Sequence, residues 1–263
     1  MAASVIVAVM TDPDRFSRRR GGFAEAVAFL TRIPVGQHAE GDRQLADSAW
    51  AFPLVGAGIG AVAAFVLLVA QLIGLGDWLP ALLAVLAGLL LTGAIHEDGL
   101  ADAADGALGG HDRDSRLAIM RDSRHGTYGV LAIVLSVGLR TAALAQIGEA
   151  VHAGLALVAA HAASRAVLPI AMSVLPPARD DGLGATAGRP RPAAVFTAAA
   201  IAVVIGLTSL GPLHGAVALA LAAAAVYAAA AFARRRVGGY TGDVLGAFQQ
   251  IAEIVMLLAA AAR

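Results

Sequence analysis

The chain has 263 residues, no cysteine and a formal net charge of zero, and its mean hydropathy is +0.75. Hydrophobic residues make up 59% of the chain and charged residues 14%, against about half and about a quarter in soluble domains. This composition excludes a disordered protein and a disulfide scaffold, and the zero net charge argues against a nucleic-acid-binding protein. The class that remains is a membrane protein with several spans.

The N-terminal part of the chain divides into a tail and a short apolar segment. Residues 1–21 form a tail that we expect to be poorly ordered, and residues 22–263 form a single membrane-embedded domain. The segment Gly22–Val35 is apolar but too short to cross a membrane, and it contains Arg32. It predicts an amphipathic helix in the membrane plane or a re-entrant segment. Both an interfacial anchor and a substrate contact agree with this pattern.

Seven further stretches are apolar and long enough, at about 20 residues, to cross a hydrocarbon core of about 30 Å. They cover residues 52–75, 79–95, 129–147, 151–175, 193–212, 215–233 and 244–262. The predicted fold is therefore all-α, a polytopic helical bundle with about seven transmembrane helices.

The distribution of arginine predicts the orientation of these spans. All 19 basic residues are arginines, and 16 of them lie in residues 1–51, 96–128, 176–192 and 234–243. The short turns on the other side contain no arginine. By the positive-inside rule, the N-terminus and the arginine-bearing loops are cytoplasmic, and the C-terminus is outside.

An acidic stretch, HEDGLADAADG from His96, follows the second span. Asp98, Asp102 and Asp105 follow an i, i+4, i+7 spacing, so on a helix they lie within about 60° of one another. Glu97 points about 100° away, which suits a flanking role. Like charges at this spacing repel each other, and a cation between them would explain the pattern. Oxygen ligands suit Mg²⁺, Mn²⁺ or Ca²⁺. The alternative is a solvated acidic loop.

Two arginines follow in the stretch IMRDSRHGTYGV, residues 119–130. Arg121 and Arg124 flank Asp122 and Ser123, and guanidinium groups bind phosphates bidentately. Carboxylates that hold a metal, followed by paired arginines, are what phosphoryl transfer requires. Ordinary positive-inside charges at a span boundary explain the same residues equally well. Arg113 and Arg116, earlier in this loop, are expected to be such ordinary charges.

Several ionisable residues fall within or beside predicted spans, where such residues are rare and usually functional. An internal pair between Arg140 and Glu253 that holds helices together is favoured for these two residues. Arg165 follows Ser164 and lies one turn after His161, which predicts a polar stripe on the fourth span. For Asp243, at the mouth of the seventh span, a functional role is favoured.

Four blocks of this sequence together resemble a known family. They are FLTRIPV at Phe29–Val35, HEDGLADAADG at His96–Gly106, RDSRHGTYG at Arg121–Gly129 and GYTGDVLGA at Gly239–Ala247. The family they resemble is adenosylcobinamide-GDP ribazoletransferase, or cobalamin (5′-phosphate) synthase, and the resemblance runs from about residue 23 to the C-terminus.

This resemblance implies a Mg²⁺-dependent phosphotransferase of the bacterial inner membrane, with its active site on the cytoplasmic face. The family joins adenosylcobinamide-GDP to α-ribazole or its 5′-phosphate and releases GMP, a late step of cobalamin biosynthesis. The partners expected are these substrates and the lipid bilayer, without nucleic acid. A homo-oligomer, or an association with other cobalamin-pathway enzymes, stays open.

The residues expected to form the site come from the four blocks and from the fourth span. Glu97, His96 and Asp98 are the catalytic candidates, with Glu97 first as the base. The expected metal ligands are Glu97, Asp98, Asp102 and Asp105. The expected substrate-binding residues are Arg32, Arg121, Asp122, Ser123, Arg124, Arg165 and Asp243.

Two other functions are alternatives. A CDP-alcohol phosphatidyltransferase-like phospholipid enzyme carries an Asp-Gly-x-x-Ala-Arg run, whereas Asp98-Gly99-Leu100-Ala101 is followed here by Asp102 and Ala103. A secondary transporter places its site near the bilayer midplane and has internal repeats. No repeat is evident here, and the acidic residues lie at the edge of a span.

Overall fold

The computed structural model describes residues 13–35, 45–122, 124–182 and 186–262. A 3₁₀ helix, Leu45–Ala51, precedes the second α-helix. The α-helices of these ranges are α1 (Pro13–Leu30), α2 (Phe52–Leu72), α3 (Trp78–Thr92), α4 (Ile95–Gly109), α5 (Arg113–Ile119), α6 (Thr127–Ile147), α7 (Ala150–Val174), α8 (Pro192–Leu210), α9 (Pro212–Val237) and α10 (Gly242–Ala261). Across these ranges the structure has no β-strand, and its one isolated bridge joins Pro177 to Tyr240.

Six helical segments of the described ranges are long and apolar enough to cross a membrane. They are Leu45–Leu72, which joins the 3₁₀ helix to α2, and the five helices α6 to α10. Helices α3 and α4 pass the same test only as a pair that is bent by 91°. With that pair counted as one span the number is seven, so the predicted polytopic helical bundle is confirmed.

The second predicted span, residues 79–95, ends three residues earlier than expected. Helix α3 stops at Thr92, and Gly93 and Ala94 both adopt left-handed backbone, with φ of 66° and 56°. Glycine reaches this conformation freely, whereas alanine does so at a cost of about 1–2 kcal/mol. The chain turns at this corner, and the acidic stretch then forms a helix of its own, α4.

Helices α2 and α7 are in backbone contact, which small residues permit. A Cβ atom on Gly56 would lie 2.2 Å from the carbonyl oxygen of His161, and one on Gly60 would lie 2.6 Å from that of Leu157. These two glycines are one helical turn apart, so they present a continuous groove to α7. Helix α7 is the most buried of the apolar helices in the described ranges.

Helix α4 crosses α10 equally closely. A Cβ atom on Gly99 would lie 3.0 Å from the Cα atom of Asp243, and one on Gly246 would lie 3.1 Å from the carbonyl oxygen of His96. The crossing brings the acidic face of α4 next to the first turn of α10. This contact positions the site described below.

Helix α1 begins at Pro13, within the tail expected over residues 1–21; residues 1–12 lie outside the described part of the chain. Its second half buries Ala26 and Leu30 against the bundle. The segment after it is held by the backbone N–H of Arg32, which donates to the carbonyl of Leu91 at 2.7 Å. The amphipathic segment therefore packs against the end of α3.

Candidate active site

Three carboxylates from two helices meet at one end of the bundle. Asp98 and Asp102 lie on successive turns of α4, and Asp243 lies in the first turn of α10. The negative charges of Asp98 and Asp243 both act on Asp102. Mutual repulsion of this kind is unfavourable unless a cation is near. The arrangement therefore favours the binding of a positive charge among the three.

His125 lies beside the two α4 carboxylates. Its Nε2 atom is 3.7 Å from Asp98 Oδ1, and its Nδ1 atom is 3.5 Å from Asp102 Oδ1. The side chain of Asp98 is 65% exposed and that of Asp102 16%. The Asp98 carboxylate is thus exposed, whereas the Asp102 carboxylate is mostly buried.

Asp243 is held in place from its own helix and from a neighbouring loop. Thr241 caps the N-terminus of α10, where its hydroxyl accepts a hydrogen bond from the N–H of Val244 at 3.2 Å. The same hydroxyl donates to Asp243 Oδ2 at 3.1 Å. Arg179 donates to that oxygen at 3.2 Å. Thr241 and Asp243 of the GYTGD block thus act together at the start of α10.

Asp105, the third acid of the predicted face, is bound to backbone rather than directed at the other carboxylates. Its two oxygens accept hydrogen bonds from the N–H groups of Gly126, at 2.6 Å, and Gly129, at 2.9 Å. A Cβ atom on either glycine would collide with the Asp105 carboxylate. Asp105 therefore anchors the loop that carries His125.

Glu97 points into the bundle, where it joins a buried network of charged and amide side chains. Its Oε1 atom lies 2.9 Å from Arg140 Nη2 and accepts a hydrogen bond from Gln250 at 2.9 Å. The Gln250 carbonyl oxygen in turn accepts from the Ser136 hydroxyl at 2.6 Å. Glu97 is thus occupied by donors from α6 and α10.

The same network contains the predicted Arg140–Glu253 pair, in which Arg140 Nη1 donates to Glu253 Oε1 at 2.8 Å. The second oxygen of Glu253 accepts from Gln249 at 2.7 Å and from Arg165. His161 Nδ1 lies 3.2 Å from that oxygen. Burial of charges is tolerated here because two arginines balance two glutamates, and the amides of Gln249 and Gln250 donate to the glutamate oxygens.

Arg165 is therefore a component of the buried network. Its side chain is 2% exposed, and it contacts Glu253, His161 and Ser164. It is the least exposed of the expected substrate-binding residues that the structure describes.

Arg121 and Arg124 lie in the loop after α5, and each contacts a carboxylate. Arg121 Nη2 pairs with Asp181 at 2.5 Å, and Arg124 donates to Asp122 at 2.7 Å. The hydrogen bonds from Arg124 lower the pKa of Asp122 to about 2. All four side chains are accessible to solvent. Ser123, between them, lies outside the described residues.

Arg113 and Arg116 join the loops at this end of the protein, contrary to the expectation that they are ordinary charges. Arg113 donates to the carbonyls of Val237, at 3.1 Å, and Ala178, at 2.5 Å. Arg116 donates to that of Arg236 at 3.3 Å. Backbone carbonyls at helix ends need such donors.

Two cavities adjoin Asp98. The first has a volume of about 770 Å³ and is lined by Arg32, Glu97, Asp98 and His125, among others. The second has a volume of about 220 Å³ and is lined by His96, Asp98 and Asp243 together with mainly apolar side chains. Asp98 thus belongs to both cavities.

His96 lies at the wall of the second cavity and is 5% exposed. Its Nδ1 atom is buried and has no hydrogen-bond partner within the described part of the chain. Buried polar atoms without partners are rare, so each calls for an explanation.

The donor set fits a hard divalent cation that is completed by a substrate. In the described residues, no group of three or more His, Asp or Glu side chains is arranged so that it could hold a metal ion. Mg²⁺ does not require one, because it is usually bound by one or two carboxylates together with water and substrate phosphates. Of the acidic residues of α4, Asp98 and Asp102 are neither bound to backbone by their side chains nor part of the buried network, and Asp243 lies beside them on α10.

His125 and Arg179 are contacts of the acidic residues that the sequence did not single out. His125 stands within the RDSRHGTYG block, and its place in that block was the available signal. Arg179 lies in a distant loop, and only the fold brings it to Asp243.

The fold and this site define a polytopic helical membrane protein with a carboxylate site at one end of its bundle. A family model described as cobalamin-5-phosphate synthase matches residues 22–261. The chain belongs to this family, as the four sequence blocks predicted.

Curated relatives are similar to this chain along most of their length. A protein of Bradyrhizobium diazoefficiens is 48% identical over 238 residues, which cover 90% of this chain and 92% of that protein. Proteins of Azorhizobium caulinodans and Mesorhizobium japonicum are 42% and 44% identical, and cover 93% and 90% of this chain and 96% and 91% of their own lengths. All three are named adenosylcobinamide-GDP ribazoletransferase. No solved structure matches the chain.

Proposed function

We propose that this protein transfers the cobinamide phosphate of adenosylcobinamide-GDP to ribazole, or to ribazole 5′-phosphate, and releases GMP. Membership of the family supports this reaction over the phospholipid-synthase and transporter alternatives. The structural observation that carries the proposal is the position of Asp98, between two cavities and beside a second α4 carboxylate. Two cavities that meet at one carboxylate are suited to a reaction between two substrates.

In this reaction a ribazole hydroxyl oxygen attacks the phosphorus nearer the corrinoid, and the bond from that phosphorus to the GMP oxygen breaks. Asp98 and Asp102, with Asp243 opposite, would hold Mg²⁺ against the diphosphate. When bound, Mg²⁺ would neutralise the charge that develops on the phosphate oxygens. Asp105 would keep its present partners and maintain the position of the loop with His125.

The cationic side chains at this end would bind the phosphates. Arg32 lines the larger cavity, and its guanidinium lies over Gly93, at the corner before α4. Arg121 and Arg124 are exposed on the neighbouring loop, with their present carboxylate partners available for exchange. Arginine matches phosphate better than lysine does, because its planar donors bind two oxygens at once.

The proton of the attacking hydroxyl requires an acceptor near Asp98. Glu97 is a weaker candidate than its position beside Asp98 suggested, because its Oε1 atom is already in contact with Arg140 and Gln250 inside the bundle. His125 contacts both α4 carboxylates and belongs to the residue type that most readily exchanges protons near neutral pH. We therefore assign proton acceptance to His125.

The orientation proposed from the arginines places this end in the cytoplasm of a bacterial inner membrane. The loops with Arg113 and Arg121 contact the loop of Arg179, and Arg179 reaches Asp243, whereas the short turn at Gly148 contacts Gln71 at the other end. The substrates would then reach the site from the cytoplasmic side.

The test is GMP release by purified protein in detergent, supplied with adenosylcobinamide-GDP, ribazole and Mg²⁺. The proposal expects GMP and a corrinoid product in equal amounts, and a requirement for both substrates. His125→Gln should reduce the turnover rate by at least about tenfold while Glu97→Gln has the smaller effect on it. GMP release without ribazole, or none by the wild-type protein, would contradict the proposed reaction.

A further inference from the structure

The smaller cavity beside Asp98 has the properties of a binding site for a flat apolar ring. Its walls include Phe52, Leu168, Met172 and Leu245, each less than 10% exposed. Phe29 completes the wall, and its ring stacks on that of Phe52 with centroids 5.9 Å apart and an interplanar angle of 21°. A planar aromatic group can pack against such a surface over its full face.

The cavity has few polar residues in its lining. Asp98 and Asp243 belong to the lining, and His96 is the other polar residue of it. A ligand part that lies against the Phe52, Leu168 and Met172 walls would be apolar. A ligand part that lies beside the carboxylates would be polar.

We propose that this cavity binds the base of the ribazole substrate, with the base between the Phe52 and Met172 walls and the ribose at Asp98 and Asp243. The inference rests on the proposed function. Ribazole is the ribonucleoside of a dimethylated benzimidazole, a bicyclic apolar ring with one unsubstituted nitrogen. The attached ribose would place its hydroxyl beside Asp98.

Size and polarity both select this substrate part over the others. A volume of about 220 Å³ is below the roughly 300–1,000 Å³ of a pocket for a drug-sized ligand, and the neighbouring cavity is about 770 Å³. One ring system suits the smaller space, and the corrinoid does not. Guanine carries amino, imino and carbonyl groups that the apolar walls would leave unpaired, which is strongly unfavourable.

Ala187→Leu tests this assignment, because Ala187 lines the cavity from a loop and a larger side chain there would fill it. We expect the KM for ribazole to rise about tenfold or more, with the KM for adenosylcobinamide-GDP unchanged. Met172→Ala enlarges the cavity and should shift the preference towards nucleosides with bulkier ring substituents. Ala229→Leu is the matched control, since Ala229 lines a separate apolar cavity of about 180 Å³ that contains neither His96 nor Asp98.

The outcomes separate this proposal from the proposed function. Wild-type turnover with an unchanged ribazole KM in Ala187→Leu would overturn the base site and leave the reaction intact. A rise in the KM for the GDP substrate alone would also overturn it, because guanine would then occupy the cavity. Absence of wild-type turnover would remove the proposed function and the base site together. Direct binding of ribazole, measured by fluorescence titration of the detergent-purified protein, should weaken in Ala187→Leu and not in Ala229→Leu; equal binding by both would overturn the base site.

Discussion

The carboxylate of Asp105 accepts a hydrogen bond from the backbone N–H of Gly129 at 2.9 Å, across 24 residues of sequence. The contact explains two features of the RDSRHGTYG block at once. Gly129 has no room for a Cβ atom beside the carboxylate, and the loop that precedes it carries His125 to α4. One acid of the predicted metal face is thus a structural anchor.

Substitution of the acidic residues should separate the anchor from the metal-binding carboxylates. Asp98→Asn and Asp102→Asn remove a ligand charge, so we expect the Mg²⁺ concentration for half-maximal activity to rise about tenfold or more. Asp105→Asn should lower the turnover rate with that concentration unchanged. An asparagine amide has one acceptor oxygen, so one of the two hydrogen bonds from the Gly126 and Gly129 N–H groups would be lost. A Mg²⁺ titration of each purified variant is the measurement. An equal rise in all three would place Asp105 among the ligands.

Removal of Arg140 should destabilise the protein strongly. Arg140→Met leaves Glu97 and Glu253 without their shared buried cation, and breaking a buried pair costs about 3–5 kcal/mol. Thermal unfolding in detergent would show the loss. Arg235→Met is the control, because Arg235 is exposed and should change stability by no more than about 0.5 kcal/mol. Similar stability of the two variants would show that the network contributes little.

The corner before α4 contains strain that a glycine should relieve. Ala94 has a φ of 56°, so Ala94→Gly removes a strain of about 1–2 kcal/mol from the folded state. The greater freedom of glycine in the unfolded chain offsets about 0.4–1 kcal/mol of this gain. We expect a small rise in Tm, and a fall in Tm for Ala94→Val. A lower Tm for Ala94→Gly would indicate that the alanine methyl group makes a contact of greater value than the strain.

The arginines at the loop end should differ in what they affect. Arg121→Lys should raise the KM of a phosphate-bearing substrate, since the planar fork is lost. Arg113→Lys should lower Tm instead, because the Arg113 guanidinium donates to two carbonyls, those of Val237 and Ala178. Exposed Arg235→Lys should change neither quantity. If Arg121→Lys leaves every KM unaltered, Arg121 is only a charge that sets topology.

Topology can be tested independently of activity. A reporter that is active only outside the cytoplasm should give a signal when fused after the last residue, and no signal when inserted beside Asp180. The reason is that the described spans place the C-terminal end of α10 on the side opposite the arginine-bearing loops. Signals in the reverse pattern would contradict the proposed orientation.

The sequence predicted the elements that depend on local pattern. Spans were evident from hydropathy, the helical spacing of Asp98 and Asp102 was correct, and an Arg140–Glu253 pair followed from the cost of isolated charges in a membrane. Contacts between residues that are distant in sequence could not be predicted from local pattern. Asp105 has the spacing of a ligand but meets two backbone N–H groups, and Glu97 turns towards Arg140.

The 15 residues of α3 give a length of about 22 Å, whereas the hydrocarbon core is about 30 Å thick. This hydrophobic mismatch must be met by local thinning of the bilayer or by a corner that sits below the headgroups. With α3 along the membrane normal, the 91° bend lays α4 in the membrane plane at that depth. A substrate with a large amphiphilic body could therefore remain adsorbed on the lipid surface while its diphosphate reaches the α4 carboxylates.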